Sequence, residues 1–361
     1  MQAPPRMVDL FCGCGGLALG ARASGFGAEL AFDIDAILSS SFKHNFPDSR
    51  LQLGNLAEAH GRDIKAMAGG EIIGVFGGPP CQAFSDIGHR KLDDPRRDLL
   101  DVFFRLVAEI EPAFFVMENV RGLGYSDSKP VLDKALDRVA ERYELVGPLL
   151  LDAANYGAAT RRRRLFVIGY DPTRCDPLMA EDLARAELPA VTVKDAIWDL
   201  HDATEVGIVD GFDTWRLESS EANGYRSALI SKDRLFTGHR PTIHTSAVVE
   251  RFLKVEQGEV DIVGRHPRLH WDRQCPTLRA GTGSDRGSFQ SVRPIHPDEP
   301  RVISVREAAR LQGFPDHFRF HPTIWHSFRM IGNSVSPPMS RAIFSLLASR
   351  TEMPQAAIAA E

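Results

Sequence analysis

"MVDLFCGCGGLALG", residues 7–20, decides the fold. Met7 to Phe11 is a short apolar run of strand character. Gly13, Gly15 and Gly16 follow at once, and helical spacing then runs to about Ala23. A strand, a glycine turn and a helix in that order open a βαβ unit. Glycines at this place let the backbone approach a ligand, and the helix start offers free N–H groups. The spacing is not GxGxxG, so a dinucleotide fingerprint is not supported.

The same rhythm continues to about residue 170. "AELAFDID" (28–35) reads as a strand ending in carboxylates, and "EIIGVFGG" (71–78) and "AFFVMENV" (113–120) as further strands. "ELVGPLLL" (144–151) and "RLFVIGY" (164–170) complete the set. "RDLLDVFFRLVAEI" (97–110) and "KPVLDKALDRVAERY" (129–143) have helical spacing. The alternation predicts an α/β fold with a mostly parallel sheet covered on both faces. From about Asp171 to Arg301 the rhythm breaks into Pro, Gly, His and charge, which reads as a separate, less regular domain with a linker near 171–190. "SVREAARLQGF" (304–314) restores a helix, started by the capping box of Ser304 and Glu307. "RAIFSLLASR" (341–350) is a last amphipathic helix, and the chain after Thr351 is expected to fray.

Composition sets the class. The 361 residues are 43% hydrophobic and 25% charged, an ordinary globular mix large enough for two domains. No apolar run approaches the ~20 residues of a membrane span, and the N-terminus lacks a signal-peptide pattern, so cytoplasmic residence is the expectation. Five sparse cysteines argue against a disulfide framework, and Cys12 and Cys14 have no CxxC partner that would suggest zinc. The net charge of -5 does not suggest a nucleic-acid binder, but its distribution is uneven. Residues 171–230 hold 5 Lys/Arg against 13 Asp/Glu, and residues 231–306 hold 13 against 9. Either these are two solvated surfaces or one face turns toward a polyanion.

Ligands of such sheets bind beyond the C-terminal ends of the strands. The polar residues there are Phe11 to Gly16, Asp33 with Asp35, Pro79 to Ser85, and Glu118 with Asn119. Asp33 is placed to accept hydrogen bonds from ribose hydroxyls, which with the glycine turn suggests a nucleoside cofactor without a required pyrophosphate. A tight turn with a solvated acid is the alternative. In "GGPPCQAFS" (77–85) two prolines stiffen the approach to Cys81, and the polar stretch that follows is of a kind that moves over substrates. Cys81 is then a nucleophile or an inert lone thiol. Glu118, at the next strand end, supplies a proton donor or acceptor beside it. In "ATRRRRLF", Arg162 and Arg164 alternate along a strand and are expected to face the same crevice, unless they simply form a basic edge.

In their order, "DLFCGCGG", "FDID", "GGPPCQAFS", "MENV", "NYGAATRRRR", "REAARLQGFP" and "IGNSVSPPM" resemble the DNA (cytosine-5)-methyltransferases of bacterial type, from about Met7 to Ala348 apart from the middle region. Most of these motifs are weak singly; "GGPPCQAFS" followed by "ENV" and "RLQGFP…GNSVSPP" is very specific. The resemblance implies a Rossmann-like S-adenosylmethionine-dependent methyltransferase sheet over 1–170 plus 301–350. It implies a smaller, irregular target-recognition domain over 171–300, and a tail over 351–361. It implies attack of Cys81 on C6 of a flipped cytosine, with Glu118 on the ring nitrogen and Arg162 and Arg164 at the target base. Phe11, Gly13, Gly15, Gly16, Leu17, Asp33, Ile34, Asn55, Leu56, Pro79, Leu99, Asn333 and Val335 match cofactor positions. Ser85, Arg97, Arg279 and Arg286 are the expected DNA contacts, the last two in "CPTLRAGTGSDRGSFQ" (275–290). The implied cofactor is S-adenosylmethionine, becoming S-adenosylhomocysteine, with no metal. The implied partners are double-stranded DNA and a cognate restriction endonuclease, without a membrane, for a monomer at the nucleoid. Two positions depart from the family pattern: Asn55 replaces an acid, and Thr160, after Ala158-Ala159, replaces a glutamine after Val-Pro. An RNA cytosine methyltransferase, a non-catalytic DNA-binding relative and an N-methyltransferase are the rival readings.

Overall fold

The computed structural model describes residues 5–80, 98–218, 224–280 and 292–352. The chain divides into two compact units. The first holds 1–152, 163–187 and 339–361, and the second holds 153–162 and 188–338.

The first unit is built on seven strands: β1 (Arg6–Leu10), β2 (Gly27–Asp33), β3 (Arg50–Leu53), β4 (Ile72–Gly77), β5 (Phe114–Asn119), β6 (Glu144–Asp152) and β7 (Arg163–Tyr170). Their order is β3-β2-β1-β4-β5-β7-β6. β1 to β5 pair in parallel, while β7 runs antiparallel to both β5 and β6. The mostly parallel sheet expected from the alternation is therefore present, with one reversed strand near its edge. β3 escapes a reading by pattern because it is a mostly exposed edge strand of four residues, too short for the alternation of Leu51 and Leu53 with polar neighbours to stand out.

Among the described residues, five helices fall between these strands: α1 (Gly16–Ala23), α2 (Phe42–Asn45), α3 (Gly61–Ala68), α4 (Asp98–Ile110) and α5 (Lys129–Leu136). α5 is shorter than its spacing predicts, because residues 137–142 continue as turns. Beneath α4 and α5 lies an aromatic core in which Phe103, Phe104 and Tyr143 meet the ring of Phe115 edge-on.

The remaining helices are α6 (Ala180–Arg185), α7 (Val193–Ile197), α8 (Gly224–Leu229), α9 (Ser246–Leu253), α10 (Val305–Gln312), α11 (Ile324–Asn333) and α12 (Pro337–Arg350). Of these, α7 to α11 lie in the second unit, with a three-stranded antiparallel sheet of β8 (Ala203–Val209), β9 (Phe212–Leu217) and β10 (Leu235–Thr237). That unit is more regular than its composition suggests. It also reaches Pro338, so α10 and α11 count with it and not with the seven-stranded sheet. The reason is a buried charge network. Arg310 of α10, 0% exposed, pairs with Asp316 at 2.7 Å and with Asp199 at 2.6 Å. Arg306 donates to the carbonyls of Thr237, Pro315 and Phe318. The capping box of Ser304 and Glu307 forms as its spacing predicts.

The chain returns to the first unit only with α12. Ser340 donates to the carbonyl of Leu17, and Phe344 packs edge-on against Phe26 and Phe76. Among the described residues no helix is long and apolar enough to cross a membrane.

Candidate active site

The turn after β1 is made by backbone in the left-handed region: φ is 66° at Phe11, 52° at Gly13 and 95° at Gly15. Asp33, the last residue of β2, holds this turn. Its carboxylate accepts the N–H of Gly13 at 2.7 Å and that of Asp35 at 2.8 Å. Burial pushes its pKa up, against the pull of those amides. Asp33 is thus first a staple of the glycine turn, and its remaining lone pairs are what a ligand can use. Ile34 beside it is 71% exposed, and a side-chain carbon at Gly13 would meet no atom of the described residues within 4 Å. Open space therefore lies over the turn.

The other expected cofactor positions divide. Gly16 and Leu17 open α1 and are buried, Leu56 and Pro79 are buried, and Leu99 packs half-buried against the core. Asn55 caps a short turn of helix: its oxygen accepts the N–H of Ala57, and its amide donates to Glu58. Asn333 and Val335 belong to the second unit, the first exposed at the end of α11, the second buried.

Below the turn, in the middle of β1, sits Asp9. It is 1% exposed, and among the described residues neither carboxylate oxygen has a hydrogen-bond partner. Burial, then the charge of Asp33, raises its pKa well above the usual range, which favours the neutral acid. The buried Cys12 thiol is raised too, by burial and then by Asp9.

At the neighbouring strand ends, Glu118 of β5 meets Arg164 of β7. Arg164 Nε lies 2.9 Å from Glu118 Oε1, with both side chains mostly buried. The antiparallel register sets Glu118 opposite Phe166, which brings the start of β7 alongside. Burial pushes the Arg164 guanidinium down and Glu118 pulls it back up. The Glu118 carboxylate also overhangs the end of β4: a side-chain carbon at Gly78 would lie 2.7 Å from its Oε2. The amide of Asn119 donates to the carbonyl of Pro79 at 3.2 Å. Asn119 thus ties β5 to the segment that enters Cys81, a role its place in "MENV" hinted at without specifying.

Arg162 departs from the expected shared face with Arg164. β7 begins only at Arg163, so the strand alternation does not reach it. Its guanidinium is fully buried in the second unit, donating to the carbonyls of Leu278 and Gly332. Arg279 is exposed. Cys81, Ser85, Arg97 and Arg286 lie outside the described residues. Among the described residues no group of three or more His, Cys, Asp or Glu is placed to hold a metal ion.

Three comparisons bear on this arrangement. The sequence model of the family described as C-5 cytosine-specific DNA methylase matches residues 5–349. The Type II methyltransferase M.XorII of Xanthomonas oryzae pv. oryzae is 39% identical over 358 residues, spanning 94% of this chain and 83% of that protein. A putative DNA modification methyltransferase encoded within an E. coli prophage superposes with a TM-score of 0.84 at 36% identity, covering 96% of this chain and 99% of its own. The S. pombe Dnmt2 methyltransferase shares the fold, with a TM-score of 0.65 at 18% identity, covering 96% of this chain and 98% of its own.

Proposed function

The chain belongs to the C-5 cytosine-specific DNA methylase family, and on that premise we propose that it methylates C5 of a flipped cytosine in a specific duplex through a Cys81 adduct, with S-adenosylmethionine as the methyl donor. The observation that carries this reading is the Glu118–Arg164 pair beside Gly78, three residues ahead of Cys81.

The thiolate of Cys81 adds to C6, forming the S–C6 bond and moving an electron pair toward C5. Glu118, held by Arg164, donates a proton to N3 while its other oxygen accepts from the exocyclic amine, so the negative charge that the addition creates on the ring is neutralised. The cofactor, when bound, supplies an electrophilic methyl group on a sulfonium. C5 takes that methyl as the methyl's bond to the sulfonium sulfur breaks, leaving S-adenosylhomocysteine; C5 then gives its proton to a base, and the electron pair of that C–H bond expels the Cys81 thiolate from C6 as 5-methylcytosine leaves. The target atom is out of reach inside a duplex, so the base is extruded.

The glycine turn fits a nucleoside group, with open space over Gly13 and an exposed Ile34 beside it. Phe11, Gly13, Gly15, Gly16, Leu17, Asp33, Ile34, Asn55, Leu56, Pro79 and Leu99 are the proposed holding set, joined by Asn333 and Val335. The region 171–300 is proposed to read the sequence, with Arg279 and Arg286 among its DNA contacts and Ser85 and Arg97 following Cys81. The Type II relatives support a place in a restriction–modification pair, in the cytoplasm.

Tritiated S-adenosylmethionine offered with duplex DNA, with tRNA or with neither tests the reading. Label is expected in DNA alone, and Cys81→Ser is expected to abolish it. Label entering tRNA but not DNA, or full activity of Cys81→Ser, would overturn it. Bisulfite sequencing of the product then gives the site.

A further inference from the structure

Within the second unit, residues 158–162 run beside 274–280. The Cys275 N–H donates to the Ala159 carbonyl at 2.8 Å, and the Arg161 N–H to the Cys275 carbonyl at 2.9 Å. Thr277 Oγ1 donates to the Arg161 carbonyl at 2.6 Å. Two buried side chains lock this short ladder. The Thr160 hydroxyl lies 3.2 Å from the Cys275 carbonyl and 3.3 Å from that of Pro276. Arg162 donates to the Leu278 carbonyl at 3.2 Å and to the Gly332 carbonyl at 2.8 Å. Gly332 closes the other side: a side-chain carbon there would fall 2.3 Å from the backbone nitrogen of Ala280 and 2.5 Å from the carbonyl carbon of Arg279.

Thr160 and Arg162 are both 0% exposed. A guanidinium leaves water at such burial only where donors are met, and here backbone carbonyls from two distant stretches meet its two terminal nitrogens. Freeing Arg162 for a nucleobase would strand those carbonyls. Thr160 stands where the family pattern has a longer glutamine, and its position against Cys275 suits a short hydroxyl. The braced segment buries Cys275 and Leu278 and leaves Thr277 and Arg279 exposed. Fixed backbone with exposed polar tips is what base readout requires, since a misplaced donor loses its discrimination.

We propose that Thr160 and Arg162 are positioning residues that hold residues 274–280 in one register, so that Thr277 and Arg279 set the sequence discrimination of the enzyme. This rests on the reading of the chain as a methyltransferase acting on DNA.

The test compares kcat and KM on the duplex site found for the wild type with those on duplexes changed at one flanking base pair. Thr160→Val is expected to lower the discrimination ratio about five- to tenfold with kcat on the proper site nearly kept, as one lost hydrogen bond allows. Thr160→Ser is expected to restore the ratio. Arg162→Met is expected to lower it further, and Arg162→Lys to recover part, with S-adenosylmethionine binding in the absence of DNA unchanged in all four. A Thr160→Val enzyme with wild-type discrimination would overturn the proposal. So would an Arg162→Met enzyme that loses kcat while its discrimination stays intact, the pattern of a target-base contact. If the wild type transfers no methyl to DNA, the functional reading fails; if it does and neither variant alters discrimination, only the positioning role fails.

Discussion

At Glu118 the same carboxylate serves packing and chemistry. It neutralises Arg164 in a mostly buried pair and overhangs the approach to Cys81. Glu118→Gln keeps the shape but removes the charge. Methyl transfer is expected to fall by about a hundredfold or more, the range for a proton-handling group. The melting temperature should fall as well, because Arg164 is left buried without its counter-charge. Asp9 is the opposite case, a buried acid with no hydrogen-bond partner among the described residues. Its raised pKa means the folded state prefers the proton, so the stability that this preference supplies is lost as pH rises through the folded pKa. Asp9→Asn is therefore expected to raise the melting temperature at pH values where the acid would be forced to ionise, and to do so less in mild acid. An unchanged difference across a pH series would contradict this. Glu118 was legible from "MENV" at a strand end. The isolation of Asp9 was not, because pattern alone does not reveal which polar groups lack partners.

The elements were legible in proportion to their apolar pattern. β1, β2, β4, β5 and α4 follow it closely, since each is buried against the same core. β3 is too short and too exposed for its alternation to decide anything, and the turns that shorten α5 do not interrupt its helical spacing. α12 shows how a late element completes an early one. Phe344 is 0% exposed and meets Phe26 and Phe76 across the sheet's flank. Phe344→Ala is expected to cost about 3–5 kcal/mol in urea unfolding of the whole chain. Gly332 sits in α11 with backbone where a side chain would go. Gly332→Ala must push residues 279–280 aside, and weaker binding of duplex DNA is the expected result in a filter or anisotropy assay, with cofactor binding retained.

At the scale of the whole molecule, the second unit is held by charge as much as by apolar packing. Glu307 is buried, accepts from Arg301 and from the Ser304 N–H, and has its pKa lowered to about 2 from an ordinary 4.5. Arg301 and its hydrogen bonds are the cause, outweighing burial. Its contribution is fully present above about pH 4.5 and is lost as pH falls toward about 2. His239 and His296 are buried with lowered pKa values, chiefly by burial, so they also favour folding above their ordinary 6.5 and oppose it as pH falls below. Both effects have the same sign. Scanning calorimetry from pH 8 down to pH 3 should show the unfolding temperature dropping below about pH 6.5, and Glu307→Gln should flatten the lower part of that fall. By itself the sequence determined the family, the strand–turn–helix opening, the order of the sheet-forming segments and the residues at the strand ends, because apolar periodicity and glycine turns act over a few residues. Only the tertiary structure decided that Arg164 rather than Arg162 meets Glu118, that Asp9 finds no hydrogen-bond partner among the described residues, and that α10 and α11 belong with the second unit. Those outcomes depend on which distant backbone carbonyls and carboxylates satisfy a buried charge, and no local pattern encodes the far partner.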